Sequence, residues 1–364
     1  MTDGPENRLC KALASYVEPY LGTTLDAAAA LESVTADRGG LRVRIVLGFP
    51  VEGYRDRLAA ALAAHAAGAG VPEPFAVEIA SRIPAFIADP KQRPLPDIAN
   101  VIAVASGKGG VGKSTVAANL ALALAAQGAR VGLLDADIYG PSQPRMMGIA
   151  GERPTTTDGK TLDPPHGHGL PVMSIGFLVD ADQPMVWRGP MVTQALSQML
   201  ADTRWGVLDY LVVDMPPGTG DIQLTLTQRV PVSGAVIVTT PQEIALLDAR
   251  KGLKMFRKVG VPVLGIVENM GQHRCPACGH VSHVFDAGGG AALAAKYATP
   301  LLGQIPLDAL IREQADSGRP TVVAEPSSAN AMLFHEIARL AAGRLAAAAL
   351  AGAARLPAIT IEGE

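Results

Sequence analysis

Residues 107 to 115 read GKGGVGKST, with Gly107, Gly112, Lys113 and Ser114 at the spacing G-x-x-x-x-G-K-[ST]. Glycines so placed let successive backbone N–H groups turn into one concavity that suits phosphate oxygens, at the positive end of whatever helix follows. The expected phosphate cradle is Gly107, Gly109, Gly110, Val111, Gly112, Lys113, Ser114 and Thr115. Lys113 would neutralise the β and γ phosphates, and the Ser114 hydroxyl, or its neighbour Thr115, would reach Mg²⁺. A turn that only caps a helix explains the glycines but gives no reason for a lysine and a serine at those offsets.

Carboxylates follow at two places. Asp135 and Asp137 lie in LLDADIYGPSQPRMMG, and Asp214 lies in VVDMPPGTGD, each at the end of a short apolar run. In an open α/β sheet the carboxyl ends of strands face the ligand crevice, so these aspartates should meet near the phosphates. Gly218 and Gly220 permit a loop able to switch on a γ-phosphate. Phosphoryl transfer asks mostly for positioning and charge neutralisation, which this set provides. Asn269 closes VLGIVEN and is the candidate for an adenine edge, because an amide both gives and takes hydrogen bonds. ATP with Mg²⁺ is the expected ligand.

Two of the three cysteines, Cys275 and Cys278, stand in CPACG, with His273, His280 and His283 close by. Three chemistries compete for them. A redox pair needs its thiols at a helix N-terminus, yet Gly279 and a β-branched run follow. A zinc knuckle within one chain would join the thiols to two of the histidines, without the usual dozen or more residues between ligand pairs. A twofold axis would instead bring two pairs together, giving the four thiolates an iron–sulfur cluster needs. Cys10 is too far along the chain to help and reads as a small residue on an amphipathic helix.

The elements that must position these groups are legible as alternation. NVIAVAS, ARVGLLDAD, LDYLVVDMP, GAVIVTT and VPVLGIVEN are near-continuous apolar runs separated by Ala- and Leu-bearing helical segments. Such runs imply a parallel sheet covered on both faces, hence a doubly wound α/β domain over 100–350. Before it, LCKALASYVEPYLG reads as helix, GGLRVRIVLGFP as strand, YRDRLAAALAAHAAGAG as helix and PFAVEIASRIP as strand, a small α+β domain over 1–86. Residues 87–99, with three prolines amid charge, read as an extended linker, and 351–364 as a tail.

Composition narrows the partners. The 364 residues carry 31 Lys and Arg against 34 Asp and Glu, a net charge of −3, so no general positive field favours nucleic acid or an anionic membrane. The most apolar stretch, Leu340 to Leu356, is interrupted by Arg344 and Arg355 and falls short of a span. MTDGPENRLC has neither the apolar core nor the cleavage site of a secretory signal, and three cysteines make no disulfide framework, so a cytoplasmic protein is expected.

The KGGVGKS form of the loop resembles the deviant Walker-A ATPases, the group that includes MinD, ParA and the nitrogenase iron protein. That resemblance implies that Lys108 reaches across a face-to-face homodimer to the partner's nucleotide. It also implies that Asp137 orients the attacking water, that Asp135 helps hold Mg²⁺ through water and that Asp214 takes the Walker-B position. SGKGGVGKSTVAANLA, DADIYGPSQPRMMG, VWRGPM, VVDMPPGTGD, ENM and CPACG, in this order, closely resemble the Mrp/ApbC iron–sulfur carrier ATPases. By that likeness Cys275 and Cys278 hold a [4Fe–4S] cluster between protomers and pass it to apo-proteins, with Lys108, Lys113 and Asp137 serving hydrolysis. Gly271 stands where many members have serine, and QHR precedes the thiols, so His273 and His280 keep zinc as the alternative. The rival from another class is a positioning ATPase, for which Arg250, Lys254 and Arg257 would supply a basic helix face.

Overall fold

The computed structural model describes residues 4–37, 40–71, 73–89, 91–178 and 189–353. They form two units, Met1–Phe86 with Ala342–Glu364, and Ile87–Ala341.

The first unit begins with α1 (Pro5–Ala14), which buries Leu9, Ala12 and Leu13. The helix expected to run on to residue 22 stops at Ala14. Pro19 has no N–H to continue it, and the buried Glu18 carboxylate accepts the N–H groups of Tyr20 at 2.8 Å and Leu21 at 2.7 Å. That turn joins two short antiparallel strands, β1 (Val17–Glu18) and β2 (Thr23–Thr24). A three-stranded sheet follows, built from β3 (Leu31–Asp37), β4 (Gly40–Leu47) and, after α2 (Arg55–Gly68), β5 (Phe75–Ser81). In β4 the alternation puts Leu41, Val43, Ile45 and Leu47 inside, as strand geometry requires. β3, which the sequence reading did not anticipate, pairs antiparallel with β4, while β5 is parallel to it across the helical crossover.

The second unit runs β6 (Val101–Ser106), α3 (Lys113–Ala126), β7 (Val131–Asp135), α4 (Gln143–Met146), β8 (His166–Gly167), β9 (Leu170–Ser174) and α5 (Gly189–Asp202). It continues with β10 (Tyr210–Asp214), α6 (Asp221–Arg229), β11 (Gly234–Thr239), α7 (Glu243–Lys258), β12 (Val263–Asn269), β13 (His273–Arg274), β14 (Val281–Ser282) and α8 (Gly289–Lys296). β15 (Leu301–Ile305), α9 (Ala309–Asp316), α10 (Thr321–Ala324) and the first part of α11 (Ala329–Ala353) complete it.

Eight strands form one sheet in the order β15-β12-β11-β6-β10-β7-β9-β8, parallel throughout except at the β8 edge. Every residue of β6, β7, β10 and β11 is buried, so the fully apolar runs do mark strands covered on both faces. Each such Val, Ile or Leu contributes about 1.5–3 kcal/mol on burial, which makes these strands a firm base for the loops at their carboxyl ends. From β6 the chain crosses past β10 to β7 and later returns on the other side to β11, so the carboxyl end of β6 is a topological switch point, the usual ligand crevice.

Two expected boundaries differ from the observed grouping. Residues 87–99, read as a linker, lie along the second unit: Gln92 Nε2 donates to the carbonyls of Thr227 at 3.2 Å and Gln228 at 2.8 Å, and Ala99 N–H to Leu208 at 2.9 Å. From Ala342 onward α11 belongs to the first unit, because its small residues allow close approach. A Cβ on Gly343 would stand 2.7 Å from Tyr20, and Ala346 lies against Gly48. The tail from residue 354, and Val186 to Arg188 of VWRGPM, lie outside the described residues. Among the described residues no helix is long and apolar enough to cross a membrane.

Candidate functional site

β6 ends at Ser106 and the chain turns through residues 107–112 into α3. Gly110 at φ 80° and Gly112 at φ 82° take the left-handed backbone that a Cβ disfavours, which curls the loop. Gly107 is required for another reason, since a Cβ there would collide with the backbone of Asp248 on α7. No side chain caps α3 at Gly112, so the positive end of that helix is left to an anion. The resulting cleft, about 270 Å³, is lined among others by Lys108, Gly109, Gly110, Ser114, Thr115 and Asp137.

The three aspartates meet here as expected. β7 and β10 run in register with Asp135 opposite Asp214. Lys113 Nζ donates to Asp214 Oδ1 and lies 3.6 Å from Asp137 Oδ2 and 3.3 Å from Ser114 Oγ. Asp135 accepts the backbone N–H groups of Asp137 at 3.2 Å, Ser142 at 3.0 Å and Gln143 at 3.1 Å, and the Ser174 hydroxyl at 3.0 Å. Burial, and then the Asp214 carboxylate beside it, push the Asp135 carboxyl up from its ordinary range. Asp137 is also raised, chiefly by burial, against the opposing pull of Lys113. Asp137 and Asp214 flank the Lys113 ammonium beside the Ser114 hydroxyl, and one or two carboxylates with a hydroxyl and phosphate oxygens are the hard donors that fit Mg²⁺.

Lys108 Nζ is 3.3 Å from Gln242 Oε1, and the Lys108 carbonyl accepts the Ser106 hydroxyl at 2.9 Å. Gly218, at φ 103°, donates its N–H to the Ser106 carbonyl at 3.0 Å, which ties the loop after β10 to the same place. Asn269 faces the phosphate loop: its Nδ2 donates to the Val111 carbonyl at 2.9 Å, while its Oδ1 accepts Met270 N–H at 3.0 Å.

The thiols sit on a separate small hairpin formed by β13 and β14. Cys275 N–H donates to the His280 carbonyl at 2.9 Å, and Gly279 N–H, at φ 72°, to the Cys275 carbonyl at 2.9 Å, so CPACG closes on itself as a tight turn. Cys275 is half-buried and Cys278 exposed. The backbone N–H groups of Cys278 and then Ala277, followed by the Cys278 thiol, hold the Cys275 thiol below its ordinary range. No helix begins at this turn, which removes the geometry a redox pair uses.

The histidines do not join the thiols. His283 Nδ1 is 2.9 Å from the Gly271 carbonyl and His273 Nδ1 is 3.0 Å from that of Leu307. Among the described residues no three His, Cys, Asp or Glu side chains converge as a metal site. The knuckle closed within one chain, the zinc alternative, is therefore not assembled: two rings that were to complete it hold the stem of the hairpin instead.

Residues 97–342 match the family model of the ParA group described as the NUBPL iron-transfer P-loop NTPases. The chain belongs to this family. An iron–sulfur cluster carrier protein of Pseudomonas fragi is 62% identical over 245 residues, 67% of this chain and 85% of the relative. One from Haemophilus influenzae is 47% identical over 338 residues, 93% of this chain and 91% of the relative, so its likeness extends into the first unit. The nucleotide-binding protein from Archaeoglobus fulgidus, solved in complex with ADP, aligns with a TM-score of 0.57 at 40% identity, over 65% of this chain and 91% of that one.

Several groups at the site went unseen in the sequence. Gln143, fully buried, donates from Nε2 to Asp214 Oδ2 at 2.8 Å and to the Ser114 carbonyl at 3.0 Å. Ser174 enters from β9, which lies between β7 and the β8 edge and whose five residues gave no periodic signal. Gln242 and Glu268 are joined to the site only by long-range contacts, and no spacing rule points to them. The basic face proposed for the rival reading is partly occupied: Arg257 Nη2 donates to the Tyr297 carbonyl and to Thr299 Oγ1 at 3.0 Å.

Proposed function

We propose that this chain binds and hydrolyses ATP, slowly and in a dimer-dependent way, while two copies share one [4Fe–4S] cluster that they pass to apo-proteins in the cytoplasm. The observation that carries the reading is the contrast in ligand count. One chain assembles a nearly complete phosphate cradle, but among the described residues it brings only two thiols together and no third ligand. A second copy supplies the other two thiolates, and Cys275 and Cys278 of each become the cluster ligands.

On the nucleotide side, the N–H groups of residues 107–115 hold the phosphates. Lys113 Nζ exchanges its two carboxylates for β and γ oxygens, and Lys108 leaves Gln242 for the partner's nucleotide. Ser114, with Asp135 and Asp214 behind it, would hold Mg²⁺, which supplies charge neutralisation to the transferring phosphoryl group. Asp137 orients the attacking water. Asn269 has a second amide hydrogen beyond the one given to Val111, and that hydrogen serves a base edge.

Anaerobic reconstitution with iron and sulfide, followed by visible absorption, iron counting and transfer to an apo acceptor, tests the reading. A brown protein that activates the acceptor is expected. A colourless protein that takes zinc at one ion per chain would replace the cluster with a structural metal.

A further inference from the structure

Glu268 is a fully buried carboxylate one residue before Asn269 on β12. Its Oε2 accepts the N–H of Gly290, in the first turn of α8, and its Oε1 accepts Gln304 Nε2 from β15 at 2.7 Å. The thiol hairpin leaves β12 through Gly271 and returns at Gly288 to Gly290. A Cβ on Gly271 would stand 3.0 Å from Glu268 Oε1, and one on Gly290 would stand 2.8 Å from Oε2. Both feet of the hairpin thus close on one carboxylate, and glycine at each foot makes that approach possible.

The other side of the same strand end holds the nucleotide loop. Consecutive residues on a strand point to opposite faces, and Asn269 donates to the Val111 carbonyl so closely that a Cβ on Gly112 would collide with its amide. The stem of the hairpin is fastened as well, by His283 to Gly271 and by His273 to Leu307. From Val111 the path runs through the buried Asn269 and Glu268 to the buried Gly271, and from there to Cys275 along a half-exposed stem held by hydrogen bonds rather than through a free loop.

We propose that Glu268 is a positioning residue for the cargo site, fixing the root of the thiol hairpin to the strand whose next residue grips the phosphate loop, so that nucleotide binding moves the thiols. The proposal rests on the carrier reading for the purpose of that motion, but not for its existence. Without the carboxylate, the hairpin would keep its own turn and its cysteines but lose its register to the loop. Packed elements with two discrete arrangements carry coupling of this kind.

Hydrogen exchange of the full-length chain, with and without Mg²⁺ and a non-hydrolysable ATP analogue, separates the two ends. In the wild type the analogue changes exchange in peptides covering both 107–115 and 273–283, by about threefold or more at the hairpin. Glu268→Ala keeps the response of the phosphate loop, while the hairpin response falls to about onefold, because Gly290 N–H and Gln304 Nε2 both lose their acceptor. Glu268→Gln retains it, since the amide oxygen still accepts Gly290 N–H and the exposed Gln304 amide turns its oxygen to the new N–H. Should Glu268→Ala lose both responses, Gly290→Ala decides, as it pushes the same contact apart without a change of charge: a hairpin still responsive in that variant overturns the proposal. A wild-type hairpin indifferent to nucleotide, or a Glu268→Ala hairpin that responds in full, also overturns it. A hairpin that responds in a protein unable to hold iron and sulfide would instead remove the carrier reading and leave this coupling in place.

Discussion

The phosphate loop and the thiol hairpin stand at the carboxyl ends of β6 and β12, two strands of one sheet with β11 between them, yet they are built in opposite ways. The loop is backed by strands with no exposed residue, and Lys113 is 6% exposed between two carboxylates and a serine. The hairpin has two residues per strand, one thiol half-buried and one exposed, and among the described residues no third ligand beside them. A site that works within one chain can be enclosed. A site that must meet a second copy and then release its cargo has to remain at the surface, so exposure there is a requirement of the task rather than a weakness of the fold.

That comparison breaks most sharply at the thiols. Replacing Cys275 and Cys278 by serine removes half of a four-thiolate set, and iron counting after reconstitution should fall to background, with nucleotide affinity by titration calorimetry within about twofold of the wild type. Lys113→Ala strikes the other end. Loss of one preorganised charge contact to the transferring phosphoryl group is worth about 10²–10³ in turnover, measurable as phosphate release, while the reconstituted cluster should still form. If either pair of variants damages both activities equally, the two regions are one structural body and the contrast is wrong.

Smaller effects sharpen it. Gly112→Ala puts a Cβ at φ 82° and against the Asn269 amide, a strain of about 1–3 kcal/mol that should lower the thermal unfolding midpoint and weaken nucleotide binding. An unshifted midpoint would mean the loop relaxes freely and is not the enclosed element described. Arg257→Ala removes its bonds to the Tyr297 carbonyl and Thr299, at a cost of about 1 kcal/mol in a denaturant titration. DNA retention on a filter should be the same before and after; a clear drop would revive the positioning reading.

Much of the phosphate site was legible in the sequence because its chemistry is local: a run of nine residues makes the cradle, and Asp135 and Asp214 are found by being last in apolar strands. CPACG was equally plain as a thiol pair, though not as the tight turn it closes into. What escaped were partners brought in from afar. Gln143 and Glu268 look like any polar residue beside a strand end, and their roles come from groups 71 residues away at Asp214 and 36 away at Gln304. In the first unit the helical pattern after Leu9 overran because Glu18 reads as a solvated face, when in fact it is buried and folds the chain back on itself. Strand β3 escaped because LESVTAD, at a sheet edge, has polar residues on both faces, and β9 because Pro171 interrupts its short run.

The central claim is that the cargo site becomes whole only across two chains. Native mass measurement of the reconstituted protein under anaerobic conditions reads this directly. The account predicts that iron and sulfide travel with a dimer carrying a single cluster, and that the monomer peak is bare. A monomer that retains a full cluster, or a dimer carrying one in each chain, would contradict it.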